Sequence, residues 1–130
     1  MKEEIVDTNV LLRFLVGDDK PQQKQASNWF SQAKRGKRKF VIKAIVIAET
    51  CFVLESFYKK RRDKIADVFE VFLAQSWLVV EERNILLSLW AWYKNGLHFV
   101  DSYLLSWAKN NNSSIVSFDK KLTKNSGCSL

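Results

Sequence analysis

The chain has 130 residues, 47% hydrophobic and 27% charged, which suits one globular domain over residues 1–130 with a buried core and excludes a disordered chain. Its 21 Lys plus Arg outnumber 14 Asp plus Glu, a formal net charge of +7 that attracts polyanions, nucleic acid first among them. Cys51 and Cys128 lack the spacing of a disulfide framework or metal knuckle, no apolar run reaches the length of a membrane span, and Met1-Lys2-Glu3-Glu4 opens without the apolar stretch of a secretion signal. A cytoplasmic protein with no membrane partner is expected.

Glu4-Ile5-Val6-Asp7 runs from charge into a short apolar strand, whose Ile5 and Val6 are expected to be buried on both sides as in a central parallel strand. Asp7 closes it, and a carboxylate beside β-branched residues needs something to compensate its charge. Thr8 and Asn9 suit a turn and helix N-cap, and Val10, Leu11, Leu12 and Phe14 begin an apolar helix. Asp7 is thus placed at the carboxyl end of the first strand, the edge where open α/β sheets bind ligands.

Gly17-Asp18-Asp19-Lys20-Pro21 reads as a turn and a helix start capped by Asp18 or Asp19, the helix running to about Lys34 with a narrow stripe of Ala26, Trp29, Phe30 and Ala33. Gly36 ends it inside a basic loop from Lys34 to Lys39. Phe40-Val41-Ile42 is a second strand. A helix from Ala44 to about Lys60 follows, with Ile45, Ala48, Phe52, Val53 and Phe57 as the expected buried stripe and Glu49 inside it; Glu55 is better placed for the surface.

Beyond the basic run Lys59 to Arg62, Ile65, Val68, Phe69, Phe72 and Leu73 mark another helix face. Trp77 to Val80 reads as a third strand, residues 84–94 as one helix stopped by Asn95-Gly96, and residues 101–110 as a helix with Asp101 in its first turn, facing the side of Leu104, Leu105 and Ala108. Ser114 to Phe118 reads as the last strand, followed by Asp119 as Asp7 follows the first, and the tail from Lys120 is expected to fray. Strands separated by helical stretches imply parallel pairing, hence an α/β chain folded as a three-layer α/β/α sandwich around a central, mainly parallel sheet.

Asp7, Glu49, Asp101 and Asp119 each interrupt apolar sequence where an uncharged residue would be preferred. Gathered on one sheet edge, like charges repel, and such a cluster is stable only with a bound cation or shared protons. Oxygen donors without His or Cys suit Mg²⁺ or Mn²⁺, and the chemistry such ions serve is attack of water on a phosphate. In this reading Asp7 is the central ligand, Asp101 and Asp119 complete the cage, and Glu49 holds a second ion or orients the water. Thr8, Asn9 and Ser117 support the ligands by hydrogen bonds. Glu81 also ends an apolar strand, but Glu82 beside it reads as ordinary helix-start charge and both are set aside, and His98 reads as a surface or packing residue.

Val6-Asp7-Thr8-Asn9-Val10-Leu11-Leu12-Arg13, Ala48-Glu49, Phe99-Val100-Asp101-Ser102-Tyr103-Leu104-Leu105 and Val116-Ser117-Phe118-Asp119 together resemble the acidic blocks of PIN-domain nucleases, in order and across the whole chain. Gly17-Asp18-Asp19 and the compact length are most similar to the VapC-type toxins of toxin–antitoxin pairs. The resemblance implies a PIN-like fold, Mg²⁺- or Mn²⁺-dependent endoribonuclease activity, inhibition by a cognate antitoxin and a homodimer. It carries the acidic positions onto Asp7, Glu49, Asp101 and Asp119, with Asn9 and Ser117 as adjacent polar positions. Ser102 departs from the family's usual Ala and Ser117 from its usual Thr. Contact with RNA phosphates is expected at Arg13, Lys34, Arg35, Lys37, Arg38 and Lys39, and then at Lys59 to Arg62. The alternatives are a PIN-type RNA-processing nuclease without an antitoxin and a non-catalytic module that binds RNA or protein.

Overall fold

The computed structural model describes residues 1–125. It is a mixed α/β fold with a parallel sheet flanked by helices, as the alternation of short apolar strands and helical stretches predicts. The chain divides into two compact units, the first holding residues 1–58 and 75–81, the second residues 59–74 and those from 82 onward.

The first unit carries the sheet. β1 (Glu3–Ile5), β2 (Lys39–Ile42) and β3 (Val79–Val80) pair in parallel in the order β1-β2-β3, with Ile5 opposite Val41 and Ile42 opposite Val80. The central strand is β2, whose Phe40, Val41 and Ile42 are all buried. β1 lies at the edge, which corrects the expectation of two buried faces. Val6 is buried and its N–H donates to the Val41 carbonyl at 3.1 Å, but Ile5 is 65% exposed. Successive side chains of a strand point to opposite faces, and here only the Val6 face is covered.

Three helices complete this unit. α1 (Thr8–Leu15) buries Leu11 and Leu12, and its cap is Asp7 rather than Thr8 or Asn9. α2 (Lys20–Lys34) starts as the sequence predicts: the Asp19 carboxylate accepts from the Gln22 N–H at 3.0 Å and Pro21 sits in the first turn, where an N–H has no helical partner to lose. Its buried Phe30 meets Phe40 edge-on at 5.3 Å and Phe14 at 4.3 Å, which joins α1, α2 and the sheet. Gly36, at φ +79°, turns the chain out of the helix.

α3 (Ala44–Ser56) ends earlier than expected and turns a different face inward. It buries Ile47, Thr50, Cys51 and Leu54, whereas Ile45, Phe52 and, just past its end, Phe57 are exposed. Ala48 and Val53 are half-buried; Glu49 is exposed and Glu55 half-buried, the reverse of the sequence reading. Nearly the whole circumference of this helix is apolar, so a 3.6-residue period selects no unique face.

The second unit is helical among the described residues: α4 (Arg62–Phe72), α5 (Arg83–Ser88), α6 (Trp90–Lys94), α7 (Phe99–Asn110) and α8 (Lys120–Asn125). Its core is aromatic. Phe69 stacks on Trp90 at 5.4 Å, Trp90 meets Tyr93 edge-on at 5.4 Å, and Phe99 lies 6.0 Å from Trp90. Ile65, Phe69 and Phe72 of α4 point inward as predicted, but Val68 is exposed and Ala66 is buried instead.

Residues 84–94 form two helices rather than one. Leu89, between them, keeps φ −76° and ψ −18°, so the interruption lies in the hydrogen-bond ladder. α7 starts two residues before Asp101, and Leu104, expected inward, is exposed. Residues 114–118 do not form the predicted strand, and Val116 and Phe118 are fully exposed. Their β-branched and aromatic content suits a strand, but the described residues of this unit contain no other strand to pair with, and β-propensity follows context. The tail expected to fray is helical over α8. Cys128 lies outside the described residues, while Cys51 is buried. Among the described residues no helix is long and apolar enough to cross a membrane.

Candidate active site

The parallel pairing of β1 with β2 carries the chain to Val6 and releases it at Asp7, where α1 begins. Asp7 adopts an extended backbone, and its Oδ1 accepts the Val10 N–H at 2.9 Å, so one carboxylate oxygen satisfies an amide at the open end of α1. The side chain is exposed rather than buried among the β-branched residues before it. Thr8 follows, half-buried, and its hydroxyl donates to Oε1 of Glu49 across 41 residues of sequence. That bond joins the first turn of α1 to α3, two elements packed on one another.

Asp7, Thr8, Asn9, Arg13 and Glu49 line one open cavity of about 630 Å³, whose apolar wall is Leu12, Val46, Val53 and Phe57 and whose rim includes Tyr58. A second cavity of about 230 Å³ shares Asp7, Asn9 and Arg13 with the first and continues past Gln22 and Gln25 to Trp29. The outward orientation of Glu49 is what admits it to this site; the inward placement expected from the sequence would have hidden it.

Arg13 is held by its own unit. Its Nε donates to Gln22 Oε1 at 2.7 Å and its Nη1 pairs with Asp18 Oδ1 at 3.3 Å, while the Tyr58 hydroxyl donates to the other Asp18 oxygen at 2.8 Å. The Tyr58 hydrogen bond, helped by the Arg13 charge, holds the Asp18 carboxyl below its ordinary range. The same bond pushes the Tyr58 phenol upward. Sequence reasoning missed Asp18 and Tyr58 as part of the site, since it used Asp18 as a turn or cap residue and read Phe57 as core. The five-residue spacing from Arg13 to Asp18 around Gly17 was the available signal.

The basic loop is partly committed to the protein itself. Arg38 makes a two-pronged pair with Glu4, Nε to Oε1 at 2.9 Å and Nη2 to Oε2 at 2.7 Å, and lies over the rings of Phe40 at 5.1 Å and Trp29 at 5.6 Å. This hydrogen bond lowers the Glu4 carboxyl and raises the Arg38 guanidinium. Lys39 pairs with Glu3 at 3.5 Å, and Lys43 with Glu81 at 2.6 Å. Lys34, Arg35 and Lys37 are exposed.

The other two predicted acids belong to the second unit. Asp101, half-buried, stands in the first turn of α7, where the helix dipole favours its charge, next to buried Ser102, whose hydroxyl donates to the His98 carbonyl at 2.9 Å. Asp119 is exposed at the start of α8. Its Oδ1 accepts the Lys121 N–H at 2.9 Å, and its own N–H donates to Ser117 Oγ at 2.9 Å. Neither unit gathers three or more His, Cys, Asp or Glu side chains closely enough to form a metal cage from protein ligands alone, among the described residues. Glu82, set aside from the site, accepts the Tyr103 hydroxyl at 2.7 Å, and His98 Nδ1 lies 2.9 Å from Arg62 Nη2.

The donor set of the first unit fits a hard divalent cation. Two exposed carboxylates on one open cavity, with a hydroxyl and an amide beside them, are oxygen-rich and leave room for water and phosphate, the way Mg²⁺ is commonly held. A sequence-family model described as PIN domain matches residues 5–127, nearly the whole chain and both units. Comparisons with curated proteins and with solved structures returned no match.

Proposed function

From the premise that the chain belongs to the PIN-domain family, a nuclease-type fold, we propose that it is a divalent-metal-dependent endoribonuclease that hydrolyses RNA phosphodiester bonds. The observation that carries this reading is the meeting of Asp7, at the cap of α1, and Glu49, on α3, on one open cavity with Arg13 at its wall. Asp7 and Glu49 would hold Mg²⁺ or Mn²⁺ there, and in the four-carboxylate form of the proposal Asp101 and Asp119 contribute to the same chemistry from the second unit. When bound, the ion supplies Lewis acidity to the phosphate and activates water.

The chain's own residues do the rest. Thr8 fixes the Glu49 carboxylate by its hydrogen bond, so that this acid does not reorganise when phosphate arrives. The Val10 amide does the same for Asp7. Arg13, tethered by Asp18 and Gln22, offers a cation to the phosphate at a fixed place. Lys34, Arg35 and Lys37 supply longer-range attraction without base choice, and Arg38 and Lys39 would join them by exchanging their pairs with Glu4 and Glu3 for phosphate. Asn9 and Ser117 act as hydrogen-bond supports.

The biological setting we propose is the toxin of a type II toxin–antitoxin pair, in the cytoplasm, working as a single nuclease domain that forms a homodimer and is silenced by a cognate antitoxin. The resemblance of the acidic blocks supports it, and the exposed Ile45 and Phe52 on α3 offer apolar surface for such a protein contact. The test is cleavage of a mixed pool of structured RNAs by the purified chain with Mg²⁺, Mn²⁺ or chelator. Cutting that requires the ion is expected; cutting that persists in chelator would overturn the metal-dependent reading.

A further inference from the structure

The cavity of the acids is bracketed by two side-chain bridges. At the start of α1, the Thr8 hydroxyl donates to Glu49 of α3. Beyond the other end of α1, Asp18, in the turn before α2, accepts the hydroxyl of Tyr58, which lies two residues past the end of α3 and donates its N–H to the Val53 carbonyl at 3.2 Å. Arg13 and Tyr58 both line the cavity, and Asp18 joins them. The two bonds on Asp18 are unequal. The Tyr58 hydroxyl stands 2.8 Å from Oδ2 and is the main cause of the low Asp18 carboxyl, whereas Arg13 Nη1 stands 3.3 Å from Oδ1, longer than a strong charge-assisted pair. Asp18 is committed to Tyr58 and only steers Arg13, so the guanidinium, its side chain 32% exposed, keeps N–H groups for another anion.

We propose that Tyr58 is a positioning residue for RNA cleavage: it locks the plane of the Asp18 carboxylate and, through it, aims the Arg13 fork at the phosphate in the cavity. The inference rests on the cavity being the nuclease site. A carboxylate turns easily about its last torsion, and a partner on only one oxygen leaves it free to swing. With both oxygens engaged and Gln22 on Nε, the guanidinium is held in one orientation. Tyr58 thereby ties the placement of the phosphate to α3, the helix that also carries Glu49. Such a tether acts on the geometry of reaction rather than on encounter, since the Arg13 charge is present with or without it.

The experiment measures kcat and KM in Mg²⁺ for one RNA that the native full chain cuts, with Tyr58→Phe, Asp18→Asn, Arg13→Gln and the Arg13→Gln, Tyr58→Phe double variant, folding checked by circular dichroism. Tyr58→Phe is expected to lower kcat roughly ten-fold, the order of one lost hydrogen bond to a charged group, with KM kept within about two-fold. Asp18→Asn, which breaks the same link, should lower kcat likewise. In the Arg13→Gln chain, Tyr58→Phe should change kcat by less than about two-fold, because Tyr58 acts through Arg13; a merely structural role would cost the same in both chains. Unchanged kcat in Tyr58→Phe, or an equal loss in the Arg13→Gln chain, would overturn the proposal. A second readout needs no cutting: inorganic phosphate should shift the Arg13 Nε–H signal in the NMR spectrum, and shift it less in Tyr58→Phe. Equal shifts in the two chains would also overturn the proposal. Native protein that cuts no RNA, yet keeps this phosphate shift and its dependence on the Tyr58 hydroxyl, would overturn the nuclease reading and leave the Arg13 tether standing.

Discussion

The four acids that look alike in the sequence occupy two different kinds of place. In the first unit, Asp7 at the cap of α1 and Glu49 on α3 face one cavity, and the Thr8 hydroxyl beside Asp7 donates to Glu49. In the second, Asp101 and Asp119 each stand at the beginning of a helix, and Asp119 turns a carboxylate oxygen to the backbone of α8. A carboxylate at a helix start has a structural reason to be there, and Asp7, the N-cap of α1, shares that reason with Asp101 and Asp119. A carboxylate that faces an open cavity with another acid has a chemical one, since packing gains nothing from placing like charges on one wall.

The largest effect expected separates these two cases directly. Asp7→Asn and Glu49→Gln should each lower RNA cleavage by at least about a hundred-fold, the upper range for loss of even an outer support of a metal ligand. The four-carboxylate proposal expects losses of the same order at Asp101→Asn and Asp119→Asn. Retained cutting by those two variants would confine the chemistry to the first unit.

A smaller effect sharpens the contrast between supports. Thr8→Val removes a hydroxyl that donates to a carboxylate, and calorimetric titration with Mn²⁺ should show ion affinity weakened about 10- to 100-fold. Ser117→Ala removes only an acceptor for a backbone N–H and should shift it far less. Equal effects would mean that Thr8 does not position Glu49 for an ion.

The smallest effect is spectroscopic and belongs to the second unit alone. Burial, then the hydrogen bond to Glu82, pushes the Tyr103 phenol up to about 12. Because its folded value lies above the ordinary 10.0, the stability it adds is complete below that pH and disappears as pH rises through about 12. Alkaline difference absorbance should show a phenol that ionises near 12 and is absent in Tyr103→Phe; a titration unchanged by that substitution would refute the assignment.

How far the sequence could be read depended on how uneven its hydrophobicity is. α2, with few apolar residues among many polar ones, was legible to its boundaries, to a cap at Asp18 or Asp19, of which Asp19 serves, and to its buried Ala26, Phe30 and Ala33. So was β2, bounded by a basic loop and a helix. The orientation of α3 was not, because Ile45, Ile47, Phe52 and Leu54 offer apolar candidates for more than one face; only packing against α1 decides the question, and with it where Glu49 points. Residues 114–118 failed for a related reason: strand composition does not supply a partner. The acid block at Asp7 was readable because a charge closing an apolar run is a local signal. The Arg13–Asp18–Tyr58 contacts were not, since Tyr58 is 40 residues from Asp18 and nothing periodic connects them.

The cap that holds Asp7 also makes the Val10 amide a sensor. That N–H is bonded to a carboxylate oxygen rather than to the helical ladder, so its hydrogen exchange opens and closes with the Asp7 rotamer instead of with the helix as a whole. A cation that draws the carboxylate away from α1 would leave this one amide less protected, whereas a cation that uses only the other oxygen would protect it further. The exchange rate of a single backbone proton therefore reports how an ion is held in the cavity, in the absence of any RNA and without a turnover.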